Sequence, residues 1–274
     1  MPLVFSLRHK TSIPVEVDSI QLETVREQSL DDIRRTPVQY GNKQPAIAEF
    51  FDVSGSAADD EIVWEGDCSH VKLIGTRWKQ GKIIVNGSAG MHLGAEMTGG
   101  EIVVHGNAAD WVGAEMHGGR IRVHGNAGDL IGAAYRGSRR GMTGGEILIH
   151  GDAGDELGHN MRRGLIAVGG RSGDAIGFGM IAGSVLLFGE TGIRPGAGMR
   201  RGTIGFLGDA GAPPMLPTFR VGGRLQPVFL RIYLLHLRRL GFPVPEVCFN
   251  AAYQRYHGDF LEQGRGEILV RLPA

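Results

Sequence analysis

Cysteine is scarce in this 274-residue chain, with Cys68 and Cys248 the only two. They lie far apart and match no metal-ligand spacing, so neither a disulfide framework nor a zinc ribbon is expected. Two free thiols in a reducing compartment is the simple reading, and a cytoplasmic location follows from it. Lysine is also rare: five of the 29 basic residues are lysine, and none lies beyond Lys82. An excess of one charge sign is missing altogether, since 29 acidic residues balance 29 basic ones. No global field therefore points to nucleic acid or to an anionic membrane surface. No run approaches the roughly 20 apolar residues of a spanning helix. Met1 to Lys10 lacks the charged start and apolar stretch of a secretory signal.

Glycine is abundant, at 45 residues. Disorder would deplete Val, Ile and Leu, and these are plentiful here. The glycines are periodic instead. Gly87, Gly106, Gly125, Gly151, Gly170, Gly189 and Gly208 each end a similar segment, in steps of 19, 19, 26, 19, 19 and 19 residues. The long step is 19 plus a seven-residue insertion around Tyr135 to Gly141. Fixed self-similarity of this kind is the signature of a solenoid.

Within each unit the residue types recur. Gly94, Gly113, Gly132, Gly158, Gly177 and Gly196 form one series, and Met97, Met116, Met142, Met161, Met180 and Met199 another. Three residues after each methionine comes a further glycine, and then alternating apolar residues: Ile102/Val104, Ile121/Val123, Ile147/Ile149, Ile166/Val168, Val185/Leu187, Ile204/Phe206. Alternation of β-branched residues is a strand signal, and the runs are too short and too glycine-broken for helix. A strand-turn-strand-turn unit of this size buries its apolar face only by stacking on copies of itself, about 4.8 Å apart. The expected fold is all-β, a right-handed parallel β-helix of 19-residue coils, with the Ile/Val pairs and methionines laddered inside. Ile62–Gly66 and Ile83–Gly87 read as earlier, degenerate coils.

The domain expectation is an N-terminal cap over 1–50, the β-helix over 51–210, and a C-terminal cap or docking arm over 211–274. The first part supplies a strand near Ile13 to Val17 and a helix near Ser29 to Arg34. The last supplies a helix from Pro227 to Leu240, stopped by Gly241, and a strand from Glu267 to Leu272.

No catalytic or metal set emerges from the residues. The repeated glycines mimic phosphate loops, but no helix follows them and no lysine is placed correctly, so they read as corners. His105, His124 and His150 precede successive corner glycines and should stack as an outward ladder. Stacked imidazoles can bind zinc, but no carboxylate or thiolate recurs beside them. Glu96 and Glu115 also stack, without an assigned role. The arginines are more informative. Arg162 and Arg163 follow one methionine, Arg200 and Arg201 follow another two units on, and the insertion adds Arg136, Arg139 and Arg140. Stacking concentrates them along one edge, suited to an anionic ligand tail or an acidic partner, or to a solvated edge that resists aggregation.

The run Gly87-Ser-Ala-Gly-Met-His-Leu-Gly-Ala-Glu-Met-Thr-Gly-Gly-Glu-Ile-Val-Val-His-Gly106 resembles the C subunit of formylmethanofuran dehydrogenase. Gly141-Met142-Thr-Gly-Gly145, Ala48–Val53 and Asp60–Asp67 extend the resemblance over about residues 40 to 220. The repeat is also similar to the C-terminal domain of the glutamate synthase large subunit, a structural alternative. The family resemblance implies one of two settings. One is a molybdenum or tungsten dehydrogenase that reduces carbon dioxide to a formyl group on methanofuran. The other is the formyltransferase/hydrolase complex of methylotrophic bacteria, which works in formaldehyde oxidation. There the formyl group passes from tetrahydromethanopterin to a methanofuran-type cofactor and is hydrolysed to formate. The arginine bias, common in GC-rich bacterial genomes, favours the second. In either setting the resemblance implies a non-catalytic scaffold subunit that itself binds no metal or cofactor. Its implied partners are amidohydrolase-like, formyltransferase and furan-cofactor-binding siblings.

Overall fold

The structure is a computed structural model that describes residues 1–273. The N-terminal region contributes β1 (Leu3–Leu7), β2 (Val15–Glu16), α1 (Leu22–Val25), α2 (Leu30–Arg35), β3 (Gln39–Tyr40) and β4 (Phe51–Ser54). The repeats contribute β5 (Glu61–Glu65), β6 (Val71–Lys72), β7 (Lys82–Asn86), β8 (Glu101–Val104) and β9 (Arg120–Val123). They continue with β10 (Glu146–Ile149), β11 (Leu165–Val168), β12 (Ser184–Leu187) and β13 (Arg201–Phe206). The C-terminal region adds β14 (Arg220–Leu225), α3 (Val228–Arg239), β15 (Tyr253–Gly258) and β16 (Arg265–Arg271). The chain is all-β in character: thirteen strands share one sheet, and the helices are few.

The repeat dictates the sheet. From β7 to β13 each strand lies parallel to the next, and equivalent positions pair. Ile83 faces Ile102, which faces Ile121; Ile121 faces Ile147, and the series continues through Ile166, Val185 and Ile204. The seven inserted residues bulge out between β9 and β10 without shifting this register. Short β-branched segments suit such a ladder because one face of each strand is wholly buried. Ile102, Val104, Met97 and their equivalents are all fully buried in one continuous core. Strands from both flanks join the same sheet. Strand β16 adds parallel to β13, and β15 and β14 follow antiparallel; at the other end β1 adds parallel to β5 and pairs antiparallel with β4.

In place of the anticipated second strand, some units carry single bridges, Cys68–Ala89–Ala108–Ala127 in the earlier repeats and Ser172–Thr191 further along. Side chains do what a second strand would have done. Asn107 Oδ1 accepts the N–H of Asn126 at 2.8 Å, Asn126 Oδ1 that of Asp152 at 2.8 Å, and Asp152 Oδ1 that of Arg171 at 2.7 Å. Three residues on, Asp110, Asp129, Asp155 and Asp174 form a parallel chain of the same kind, ending on the N–H of Ile193.

Two glycine positions show why the residue is required. A Cβ on Gly87 would stand 2.0 Å from the Gly66 carbonyl oxygen, so close repeat-to-repeat approach demands its absence. Gly94 has φ +62, and its Cβ would strike Ile121. The left-handed conformation is not confined to glycine. Leu73, His92, Trp111, Leu130, Glu156, Ala175 and Arg194 all share it, one per repeat. Each such residue costs roughly 1–2 kcal/mol. The ladder offsets this: the N–H groups of Trp111, Leu130 and Glu156 each donate to the next repeat at 2.9 Å.

The outer face of the sheet has its own cover. α3 starts after Pro227 and stops at Gly241, whose φ is +77. It lays Leu230, Leu234 and Leu237 on Leu148, Ala167, Leu186, Leu207 and Leu269. The N-terminal helix α2 starts at Ser29, whose hydroxyl accepts the Asp32 N–H.

Candidate functional site

The arginines that follow the methionines are positioned by backbone ladder bonds. Arg162 N–H donates to the Met142 carbonyl, and Arg200 N–H to that of Met180, each at 2.8 Å. These bonds hold both residues on one edge of the sheet, level with His117 and Thr143 of earlier repeats, whose Nδ1 and Oγ1 lie 2.7 Å apart. Two clefts open along this edge. One, of about 500 Å³, is lined by Glu115, His117, Ser138, Arg140, Thr143, Arg162 and Arg163. The other, of about 320 Å³, is lined by Arg162, Arg163, Ile181, Ala182, Arg200, Arg201 and Gln263. They share Arg162 and Arg163, so the two form one track.

The structure thus brings five of the seven arginines together and leaves two outside. Arg136 lines a separate hollow of about 240 Å³ with Trp111, Tyr135, Glu156 and His159. Arg139 is exposed and lines neither cleft. Of the five, Arg200 has a carboxylate partner, with its Nε 3.1 Å from Glu262 Oε2. Among the described residues, Arg140, Arg162, Arg163 and Arg201 have none. Arg201 also lies in register beside Arg265. Unpaired guanidinium groups in a cleft are forks that accept carboxylate or phosphate bidentately.

The wall between the track and the Arg136 hollow is the insertion itself. Its Tyr135 N–H donates to Glu115 Oε1 at 3.0 Å, and its ring stacks on Trp111 at 5.0 Å between centroids. The Tyr135 hydroxyl meets His92 Nδ1 at 3.0 Å. Burial, followed by Glu96 and Glu115, pushes the Tyr135 phenol up to about 12, so it stays protonated.

The histidine ladder forms as anticipated. His105 and His124 stack at 5.3 Å with an interplanar angle of 6°, and His150 meets His124 edge-on at 4.7 Å. Phe242, just beyond α3, caps the row at 5.2 Å from His150. Burial, then His105 and Arg122, lowers the His124 pKa below its usual value; burial, then His124 and Arg122, does the same to His150. Among the described residues, no three His, Cys, Asp or Glu side chains converge to hold a metal ion. What sequence reasoning missed is the polar network beside α3. Arg120 Nε lies 2.9 Å from Glu146 Oε2, and His236 of α3 bonds the other oxygen of Glu146. Only contact across 90 residues reveals it.

The pattern of the GXGXG motif family matches residues 70–213, more than half of the chain. Among solved structures, a chain of the formyltransferase/hydrolase complex (FhcABCD) from Methylorubrum extorquens, in complex with methylofuran, matches with a TM-score of 0.90 and 30% identity. That match covers 99% of both chains. The C subunit of molybdenum-containing formylmethanofuran dehydrogenase 1 of Methanothermobacter marburgensis is 44% identical over 83 residues, 30% of this chain and 21% of that one. The C subunit of tungsten-containing formylmethanofuran dehydrogenase 2 of Methanococcus maripaludis is 38% identical over 92 residues, 33% of this chain and 34% of its own. The match thus spans about a fifth to a third of the length of these curated relatives. The repeats and the match across them define a GXGXG-motif protein. Within that class the chain belongs to the family of formylmethanofuran dehydrogenase C subunits, and its end-to-end likeness is to a chain of the bacterial formyltransferase/hydrolase complex.

Proposed function

We propose that this chain is the scaffold subunit of a cytoplasmic formyltransferase/hydrolase complex and carries out no reaction of its own. The complex would move a formyl group from tetrahydromethanopterin to a methanofuran-type cofactor and hydrolyse it to formate. The chain would hold amidohydrolase-like, formyltransferase and furan-cofactor-binding siblings in register. The single observation that carries this reading is the likeness over 99% of both chains to a member of such a complex. The 19-residue strand offsets support a right-handed parallel β-helix over 51–210, with 1–50 and 211–274 closing its ends. A rod of this kind is rigid along its length because each repeat is bonded to both neighbours.

In this reading the arginine track, Arg140, Arg162, Arg163, Arg200 and Arg201, takes the carboxylates of a cofactor tail or of a sibling's acidic surface. Arg136 and Arg139 flank it. Glutamate at 162, 163, 200 and 201 in the assembled complex should lower its activity at least tenfold. Intact assembly with unchanged activity removes the track from the account. For the scaffold itself the test is omission: without this chain the siblings should not co-purify, and a complete, active complex lacking it contradicts the proposal. A second reading, the C subunit of a molybdenum or tungsten dehydrogenase, is favoured by the names of the curated relatives. It rests on shorter matched segments.

A further inference from the structure

α3 is apolar on two opposite sides. Its inner side, Leu230, Leu234 and Leu237, is fully buried on the sheet. On the other side Val228 is 79% exposed, Ile232 66% and Leu235 47%. A surface helix of a self-contained protein normally turns polar residues outward, and one that is apolar on both sides is covered on both sides.

The outward residues form a seam. With 3.6 residues per turn, Val228, Ile232, Leu235 and Arg239 fall within an arc of about 60°. Their spacing of four, three and four is that of a helix-packing stripe. The ionisable residues along α3 are all basic in type: Arg231, His236, Arg238 and Arg239 are present, and no acid. Three of these are engaged within the chain. Arg231 donates to the Phe249 carbonyl, His236 meets Glu146, and Arg238 pairs with Glu246 at 2.8 Å. Arg239, in line with the stripe, has no carboxylate among the described residues. Beside Val228 and Arg231 a hollow of about 190 Å³ opens, floored by Leu230, Phe249 and Tyr253. It suits one apolar anchor side chain, the usual centre of an interface.

We propose that the outer face of α3 is the seat of a sibling subunit, which lays across it an amphipathic helix whose apolar seam meets Val228, Ile232 and Leu235 and whose carboxylate meets Arg239. This rests on the subunit reading above and adds to it the surface and the chemistry of the partner. It is separate from the arginine track, which lies on the sheet edge. Apolar contact supplies the affinity, and the unpaired cation, meeting only a carboxylate, selects the partner.

The test uses the tagged full chain expressed in its native host. The complex is isolated and α3 amide exchange compared between the free and the assembled chain. Ile232→Glu with Leu235→Glu, and separately Arg239→Glu, are made alongside. These side chains are exposed, so melting temperatures should match the wild type. The expected result is slowed exchange over α3 on assembly, and at least a tenfold lower recovery of sibling chains with either variant. Full recovery with both variants, and identical α3 exchange free and assembled, overturns the proposal while leaving the subunit reading standing. A homo-oligomer that the double variant dissociates overturns the choice of a sibling as occupant. A wild-type chain recovered alone overturns the subunit reading, and this one with it.

Discussion

Asn126 Oδ1 accepts the backbone N–H of Asp152 at 2.8 Å, while the N–H of Asn126 is received by Asn107 Oδ1 at 2.8 Å. One side chain thus stitches a repeat to the next across the seven-residue insertion, just past the last bridge of the row, Ala108–Ala127. Removing the amide leaves the Asp152 donor without its acceptor. Asn126→Ala should lower the unfolding free energy by about 1 kcal/mol. Asn126→Asp, which keeps an acceptor and copies the residue at position 152, should stay close to wild type. Urea denaturation of the two variants checks both.

Glycines in this chain are of two kinds. Gly87 is required by the 2.0 Å approach of the Gly66 carbonyl to any Cβ placed there. Gly137, in the insertion, has φ +89 but open space around it. Gly87→Ala should therefore cost more than about 2 kcal/mol, because backbone must shift against backbone. Gly137→Ala should cost only about 1 kcal/mol, the left-handed penalty. Thermal melts of the pair separate the two causes.

The histidine ladder makes stability depend on pH. His124 and His150 have folded pKa values below the usual 6.5, through burial first and then neighbouring positive groups. The unfolded chain therefore binds more protons than the folded one in the window below 6.5. Their contribution is complete above that value and is lost as pH falls through the depressed folded values. Melting temperature should fall between pH 7.5 and pH 5.5, and His124→Gln with His150→Leu should flatten that slope. An equal slope in the variant would mean that other groups set it.

Burial pushes the Cys68 thiol up to about 12, with Asp67 and Glu65 adding to the effect. Cys248 is also buried and shifted upward. A thiol in this state is a poor nucleophile. The folded chain should show no rapid reaction with a disulfide reagent at pH 8, and two reactive thiols should appear on unfolding.

What the sequence disclosed was whatever repeats. The Ile/Val pairs, the methionines and the corner glycines sit at fixed spacing, and each occupies the ladder position that its spacing implied. The helix between Pro227 and Gly241 was equally legible, because its stop and start signals are local. What stayed hidden depends on contacts distant in sequence. Leu148, Ala167 and Leu186 sit on the strand face opposite the Ile/Val pairs; they are buried because α3 arrives there from a later part of the chain. The Asn and Asp ladders are not legible in the sequence, since a side-chain acceptor is recognisable only once its donor stands one repeat away. The separation of Arg136 from Arg140 was likewise invisible, because it is made by the path of the insertion and the seating of Tyr135 on Trp111.

The most direct test of the central claim is affinity isolation of the native complex through this chain. Mass spectrometry of the co-eluting polypeptides and a metal assay complete the measurement. The account predicts a formyltransferase and an amidohydrolase-like chain in fixed stoichiometry, without molybdenum or tungsten. Recovery of a molybdenum- or tungsten-bearing partner would contradict it in favour of the dehydrogenase. Recovery of this chain alone would contradict the scaffold itself.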